Sequence, residues 1–454
     1  MTGIWSVGPH LAGSDRRGRR LDVLFWGVSL ALWLFTLYFT SQYATNVPYA
    51  DAWGYPELVT GLQPATLSVL WEQNNEHRVV WQTLFQLPLA RYTAWNQYLA
   101  AFPAVLFLGA GNLCFLWHVS RTRPALPTLQ RFLLLDTLSL WLFNFQQHEI
   151  FTWNEMACLG LPHLTVVLYS TRFRQFAEHG RGAISLGVLL VVSALCVGQG
   201  LALCVFTLLF SAVTLMVRGT LLDAHIALAS LALLLMAAYF MNWHTLPYHP
   251  SALSGFHRPY DAALFLFALI GSPFAAKSMH AILTGIGILL LVAASLAVAL
   301  WHDRGDTLWL LLVQYPLLVI AGIVLPVIMV GRVGFGLPQA LASRYVPTAA
   351  LFAATTLLLV FDTIPRSRPR LRTVLVAGLF CLTIPVWYVN YREAVVAEWT
   401  QRTQLNAYRD CVLAHQDGPE SCDGSQVLPF KDRLDRYVKL LRDHRLSFFA
   451  QPPS

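Results

Sequence analysis

Long apolar runs constrain this chain more than any other feature of its sequence. A helix that crosses about 30 Å of hydrocarbon needs roughly 20 apolar residues, and about eleven runs approach that length. They lie near residues 22–41, 98–118, 131–147, 153–170, 184–199, 201–217, 224–242, 281–301, 307–330, 346–361 and 373–390. The sequence therefore predicts an all-α fold, a polytopic transmembrane helix bundle with about eleven spans.

Composition agrees with a lipid environment. Of the 454 residues, 56% are hydrophobic and only 12% are charged. The net charge of +7 raises the question of nucleic acid, but the arginines form short clusters between apolar runs instead of one basic face. Membrane topology accounts for these clusters, and nucleic acid is not an expected partner.

The distribution of basic residues predicts the orientation. Sixteen of the 31 Lys and Arg fall at the N-terminus and in alternate connections, whereas the intervening connections hold six. Because Lys and Arg are retained on the cytoplasmic side, we expect a cytoplasmic basic N-terminus (1–20), a transmembrane domain (21–390) and a periplasmic C-terminal tail (391–454). The first apolar run is long enough to span and precedes no small-residue cleavage site, which indicates a retained helix.

One apolar segment does not fit this count. Asp261 to Ala276 is short and is broken by Gly271-Ser272-Pro273. If it crossed, the last arginine cluster would move to the outside. We therefore interpret it as a re-entrant or interfacial helix that protein must shield.

The tail carries its own signals. Asp432 to Phe449 has apolar residues at helical spacing between charges, which predicts an amphipathic helix that packs on the protein's outer face. Cys411 and Cys422 flank a short polar stretch and predict a disulfide if the tail faces an oxidising compartment. The other five cysteines lie in apolar runs and are interpreted as small hydrophobic residues.

The first periplasmic loop (42–97) holds the first candidate group, Asp51, with Trp53 close by. A carboxylate at membrane level among aromatic residues can act as a general base on an acceptor hydroxyl. Alternatively, Asp51 caps the following helix and the tryptophans belong to the interfacial belt. The sequence leaves both interpretations open.

The same loop carries Glu76-His77-Arg78. An arginine suits phosphate oxygens and an imidazole suits proton transfer, so the trio fits an anionic leaving group. The alternative is a solvated loop whose charges pair with one another.

Two later connections add polar residues. His148 and Glu149 occupy a short turn, where charges are expensive unless they border a wet cavity. Arg332 opens a glycine-rich stretch that ends in Arg344-Tyr345, and its two arginines suit a lipid phosphate. The spacing of the histidines matches no strong metal motif, so a divalent metal remains a minor option.

The order of these features resembles the GT-C superfamily of membrane glycosyltransferases, which take a sugar from a polyprenyl-phosphate donor. A cytoplasmic N-terminus, a first helix followed by Asp51 in a long external loop, and many later spans carry the resemblance. More narrowly, residues 75–78, 147–149 and 331–345 look like a poorly characterised bacterial group of GT-C-like proteins. The resemblance implies that Asp51 is the catalytic base or lies near a metal. Many relatives have two adjacent acidic residues there, whereas this chain has Asp51-Ala52, which leaves a single-base mechanism open.

These observations lead to one expected function. We expect inverting transfer of a sugar from a polyprenyl-phosphate carrier to an envelope glycan, lipid or protein hydroxyl, on the periplasmic face of a bacterial inner membrane. The expected catalytic residues are Asp51, Glu76 and His77. The expected substrate-binding residues are Trp53, Arg78, His148, Glu149, Arg332, Arg344 and Tyr345. A transporter or flippase for an anionic lipid-linked substrate, or a non-catalytic membrane assembly protein, are the alternatives.

Overall fold

The computed structural model describes residues 16–124, 126–246, 250–251, 254–302, 307–365, 367–415, 422–425, 427–428 and 431–450. Of the predicted N-terminal segment 1–20, residues 1–15 lie outside the described residues. The described chain is helical, as predicted, and contains no β-strand. Its one β-type pairing is an isolated bridge between Asn74 and His77 in the first loop.

Among the described residues, fifteen helices of eight or more residues form the bundle and the tail. They are α1 (Arg16–Tyr43), α4 (Val80–Thr93), α6 (Phe102–Thr122), α7 (Thr128–Leu142), α9 (Ala157–His179), α10 (Ala183–Ala194), α11 (Ala202–Arg218), α12 (Asp223–Phe240), α14 (Pro259–Gly271), α15 (Ser278–His302), α16 (Thr307–Gln314), α17 (Pro316–Arg332), α18 (Val346–Thr363), with α19 (Pro369–Ala414) and α20 (Lys431–Asp443) continuing into the tail. Shorter helices are α2 (Pro56–Val59), α3 (Leu67–Leu70), α5 (Gln97–Ala100), α8 (His148–Thr152) and α13 (Ser254–His257).

Eight helical segments are long and apolar enough to cross a membrane. They contain α1, α6, α11, α12, α15, α17, α18 and α19. The remaining three of the eleven predicted runs form α7, α9 and α10. The 15 residues of α7 and the 12 of α10 reach only about 22 Å and 18 Å at 1.5 Å per residue, and α9 carries charged residues in its second half. The structure therefore shows eight candidate spans and does not show the predicted count of eleven.

Small residues let several helices approach closely. A Cβ added to Gly160 on α9 would lie 2.5 Å from the carbonyl oxygen of Ala104 on α6, and one added to Gly271 on α14 would lie 1.9 Å from that of Ala281 on α15. Close backbone approach of this kind gives helices in lipid the van der Waals contact that holds them together. These two helix pairs form the most extensive contacts of the bundle.

The connections separate into two groups at opposite ends of the bundle. At one end, Arg123 forms an ion pair with Asp362, and the guanidinium group of Arg218 lies 4.0 Å from the centroid of the Trp309 ring. The other end holds the long first loop and the connections at 143–156, 195–201 and 333–345, and we call it the loop-rich end.

The segment interpreted as re-entrant forms α14 and a 3-10 turn, Ser272–Phe274. Both Ser272 and Pro273 are buried. The carbonyl oxygen of Pro273 accepts hydrogen bonds from the side-chain amides of Asn144 and Asn390, the second at 3.0 Å. Protein groups therefore satisfy the irregular backbone at this break, as any apolar environment requires.

The tail begins within α19, whose 46 residues extend well beyond the length needed to span a bilayer. Cys411 near its end forms a disulfide bond with Cys422. The amphipathic helix α20 packs against α2 of the first loop. Residues of both regions share one apolar cluster, which includes Trp53, Tyr55, Leu58, Trp95, Tyr408, Val427, Leu434, Val438 and Leu441. The tail is thus a cap on the first loop.

Candidate active site at the loop-rich end

Asp51 lies on a short 3-10 helix, Ala50–Gly54, just beyond the end of α1. Its carboxylate is exposed and accepts a hydrogen bond of 3.2 Å from the Asn75 side chain. The helix that follows, α2, has Tyr55 as its N-cap and no side-chain capping bond, so Asp51 does not cap it. Trp53, two residues later, is buried in the apolar cluster with the tail. It therefore anchors the segment that carries Asp51 and does not line an open site.

Glu76 and His77 stand beside Arg332. The Glu76 carboxylate forms an ion pair with the Arg332 guanidinium group, and His77 Nε2 lies 3.5 Å from the same Glu76 oxygen. His77 Nδ1 accepts the backbone N–H of Gly198 at 3.2 Å, so neutral His77 carries its proton on Nε2. A Cβ on residue 198 would lie 3.2 Å from His77 Nδ1, which explains why glycine suits this position. The first loop, the start of α11 and the end of α17 meet here.

Arg78 occupies a different environment from its neighbours. It is buried, and its guanidinium group donates to the carbonyl oxygens of Tyr239 (2.7 Å), Met241 and Trp71. Two of these carbonyls terminate α12, where unpaired backbone oxygens need a donor. The structure places Arg78 behind the site, as a support that joins the first loop to α12.

A second group of charges contains His148, Glu149 and Arg344. The backbone N–H and a guanidinium nitrogen of Arg344 each lie 3.3 Å from Glu149 Oε2. The N–H of Glu149 donates to Ser343 Oγ at 3.0 Å, so the two segments hold each other. Tyr345 is buried, with its ring centroid 5.1 Å from the Arg344 guanidinium carbon.

His148 forms a side-chain hydrogen bond with Glu398 of α19. Its Nδ1 lies 2.6 Å from the Glu398 carboxylate, which is almost fully buried. Burial lowers the pKa of His148, but the hydrogen bond and charge of Glu398 outweigh it, so the pKa is raised overall. The sequence indicated His148 but not Glu398, which lies 250 residues away.

Tyr49 shows that these groups converge on Asp51. Its ring packs edge to face on Trp153 at 5.4 Å. Burial raises the pKa of Tyr49, the charge of Glu149 raises it further, and Arg344 opposes the shift; Asp51 adds a smaller increase. The Arg344 guanidinium carbon lies 5.7 Å from the same Trp153 ring, so Tyr49 and Trp153 join the first loop to the Glu149–Arg344 pair. On the other side, Asn75, which donates to Asp51, directly precedes Glu76 in the sequence.

Glu155 is a second carboxyl near Asp51 that was not among the predicted site residues. It lies in the turn before α9 and is 4% exposed. Burial raises its pKa well above the ordinary value, and the negative charge of Asp51 raises it further. Two neighbouring carboxyl groups, one exposed and one buried, are a recurring arrangement in active sites. The sequence feature that could have indicated Glu155 is the position of an acidic residue at the edge of an apolar run.

Among the described residues, the one group of three side chains close enough to hold an ion is Cys411, His415 and Cys422. Both sulfur atoms are already joined in the disulfide bond. This group lies in the tail.

Comparisons with models of protein families, with curated proteins and with solved structures found no match for this chain. Its function is therefore argued from the site itself.

Proposed function

We propose that this protein is an integral membrane glycosyltransferase that moves a sugar from a polyprenyl-phosphate donor to a hydroxyl group of an envelope acceptor. The observation that supports this most is an exposed carboxylate, Asp51, near two ion pairs that contain arginine. Its hydrogen-bond partner Asn75 directly precedes Glu76 of the Glu76–Arg332 pair, and Tyr49 of the same segment packs on Trp153, whose ring lies 5.7 Å from the Arg344 guanidinium carbon. A base for the acceptor and cations for the departing phosphate are the two things that such a transfer needs.

The proposed membrane arrangement follows the predicted topology. In the proposal α7, α9 and α10 cross together with the eight candidate spans, and local thinning of the bilayer accommodates the short helices α7 and α10. The N-terminus is cytoplasmic and the loop-rich end faces the periplasm of a bacterial inner membrane. This GT-C-like arrangement also places the disulfide of the tail in an oxidising compartment.

In the proposed reaction, Asp51 takes the proton from the acceptor hydroxyl as its oxygen attacks the anomeric carbon of the sugar. The bond between that carbon and the phosphate oxygen breaks, and the lipid phosphate leaves with the electron pair. Attack from the face opposite the leaving group inverts the anomeric configuration. Asp51 ends protonated and the lipid phosphate ends with one more negative charge.

Arg332 and Arg344 stabilise that charge in the proposal. Each guanidinium group is paired with a glutamate, Glu76 or Glu149, and each retains further N–H donors beyond that contact. A phosphate has more acceptor oxygens than a carboxylate and suits the same fork of donors. The phosphate of the bound donor would therefore bind these guanidinium groups beside the glutamates or in their place. His77 would move together with Glu76.

Transport of a lipid-linked anion is the second candidate. The observation that favours it is Asp136 on α7, which is buried and has one carboxyl oxygen without a hydrogen-bond partner among the described residues. Ionisable groups in mid-span often serve relays in transporters. A transporter would bind the same phosphate but leave the sugar bond intact.

The test uses the purified full chain in lipid nanodiscs, supplied with a polyprenyl-phosphate sugar and an extract of envelope acceptors. We expect release of the lipid phosphate and transfer of the sugar to the acceptor. Asp51→Asn keeps the shape of the side chain but removes the base, so the rate of transfer should fall on the order of 100-fold or more. Asp223→Asn, an exposed aspartate at the start of α12, is the matched control and should retain the full rate.

The outcomes separate the candidates. Unchanged transfer by Asp51→Asn would remove the proposed mechanism. Movement of intact donor between leaflets, without cleavage, would establish the transporter. If neither activity occurs with any donor, and substitutions at Asp51 and His77 are harmless in cells, the assembly role is the one that remains.

A further inference from the structure

The pair formed by His148 and Glu398 is not needed for the reaction described above, and its geometry is specific. His148 Nδ1 lies 2.6 Å from Glu398 Oε1, and the carboxylate side chain is only 2% exposed. A buried carboxylate of this kind fixes the orientation of an imidazole ring and favours its protonated form.

The other ring nitrogen has no comparable contact. His148 Nε2 makes no hydrogen bond with the described residues, and it is not among the side-chain atoms that are both buried and unpaired. The imidazole as a whole is 20% exposed. One edge of the ring is therefore held by protein, while the opposite edge remains accessible.

The charges around the ring come from several elements. Glu398 contacts it directly, and the neighbouring Glu149 is engaged by Arg344. Farther along α19, Glu393 accepts a hydrogen bond from Gln146 and the guanidinium group of Arg402 donates to the Gln42 carbonyl. Glu398 is thus the acidic group with a direct bond to the ring, and the other acidic side chains have partners of their own.

We propose that His148 is a third cationic ligand for the phosphate of the lipid-linked substrate, and that Glu398 is the positioning residue that holds it in place. Nε2–H would donate to a phosphate oxygen beside Arg344, in the manner of a charge-assisted hydrogen bond. This inference rests on the proposed function for the identity of the phosphate. No bond is made or broken by the dyad.

The first arm of the test measures the dyad without turnover. Diethyl pyrocarbonate modifies neutral imidazole, so its rate at His148, followed by peptide mass spectrometry against pH, reports the titration of the ring. Because Glu398 stabilises the imidazolium form, Glu398→Gln should shift the midpoint of modification to lower pH. Glu178→Gln is the matched control, because Glu178 lies 4.0 Å from the exposed His179 and is far less buried than Glu398. This substitution should leave the His148 profile unchanged.

The second arm measures the ligand. Geranyl phosphate, added to the protein in phosphatidylcholine nanodiscs, should slow modification of His148, and His148→Gln should weaken binding of that probe about 10-fold or more, as expected for loss of a charge-assisted bond. The same measurements in an Asp51→Asn background should give the same result, because binding needs no base. Binding can thus be established even if no sugar transfer is found.

Three results would overturn the inference. They are an unchanged titration midpoint in Glu398→Gln, equal affinity of His148→Gln for geranyl phosphate, or protection of His148 that arises only when phosphatidylglycerol is added to the bilayer. The last would assign the site to an anionic membrane headgroup. If Glu398→Gln does not fold, as judged by its melting curve, the pH dependence of probe binding to the wild type and to His148→Gln decides the matter, since only the wild type should lose affinity as the ring deprotonates.

Discussion

The disulfide bond in the tail should control the stability of the segment that carries Asp51. Cys411 and Cys422 join the end of α19 to the stretch that reaches Val427. The carbonyl oxygen of Val427 accepts the N–H of Ala50 at 3.0 Å, one residue before Asp51. Ala50 has a φ of +49°, a left-handed conformation that costs an L residue about 1–2 kcal/mol. The tail therefore helps to hold a strained backbone beside the candidate base.

The size of the effect follows from the loop that the disulfide closes. The two cysteines are 11 residues apart, and closing a loop of that length removes about 3 kcal/mol of unfolded-state entropy. Since each 1.4 kcal/mol is a factor of ten, loss of the bond should raise the population of the locally opened tail roughly 100-fold. The prediction assumes that the tail and the Ala50 contact open together, as one cooperative unit.

Hydrogen exchange at the Ala50 amide measures this directly. The double variant Cys411→Ser/Cys422→Ser, or the wild type with a reductant, should exchange at Ala50 up to about 100 times faster, with transfer activity reduced in parallel. Cys381→Ser is the control, because Cys381 lies on the same helix, is exposed and forms no disulfide bond. It should exchange at the wild-type rate.

Two results would refute the reasoning. If exchange at Ala50 is unchanged while the tail helix α20 exchanges faster, the tail opens without releasing the first loop. If neither segment changes, the disulfide adds nothing to local stability. In either case the cap would not position Asp51.

Two further substitutions test the buried groups around the site. Arg78→Lys has all its N–H donors on one nitrogen, which cannot reach the three carbonyl oxygens that Nε, Nη1 and Nη2 of the guanidinium group satisfy separately. The free energy of unfolding should therefore fall by about 1–3 kcal/mol, seen as a lower melting temperature. The folded-state pKa of Glu155 is raised, so its contribution to stability is fully present below the unfolded pKa and is lost as pH rises through the folded pKa. Glu155→Gln should therefore have a melting temperature that falls less steeply toward alkaline pH than that of the wild type.

Both have matched controls at exposed positions of the first loop. Arg91→Lys and Glu72→Gln should leave the melting temperature and its pH dependence unchanged, because both side chains are exposed. A melting temperature of Arg78→Lys equal to that of the wild type would assign Arg78 no supporting role. A wild-type pH dependence in Glu155→Gln would mean that another group titrates.

The candidate site was predictable in part, and the differences have physical reasons. Sequence alone indicated Asp51, Glu76 and Arg332 because polar residues between apolar runs are conspicuous. The sequence also grouped Trp53 and Arg78 with them, because it does not show which residues of a loop are buried. In the structure Trp53 turns into the tail cluster, and the guanidinium group of Arg78 is taken by backbone carbonyls.

The helical, membrane-compatible fold was determined by sequence alone, because apolar run length and backbone hydrogen bonding are local properties. The number of such helices was less certain, since α7 and α10 are too short to meet the length of a span by themselves. Only the tertiary structure decided which charges meet: Glu76 with Arg332, Glu149 with Arg344, and His148 with Glu398. The partners in each of these three pairs are at least 195 residues apart in the sequence, and no local pattern encodes contacts that depend on how the whole bundle packs.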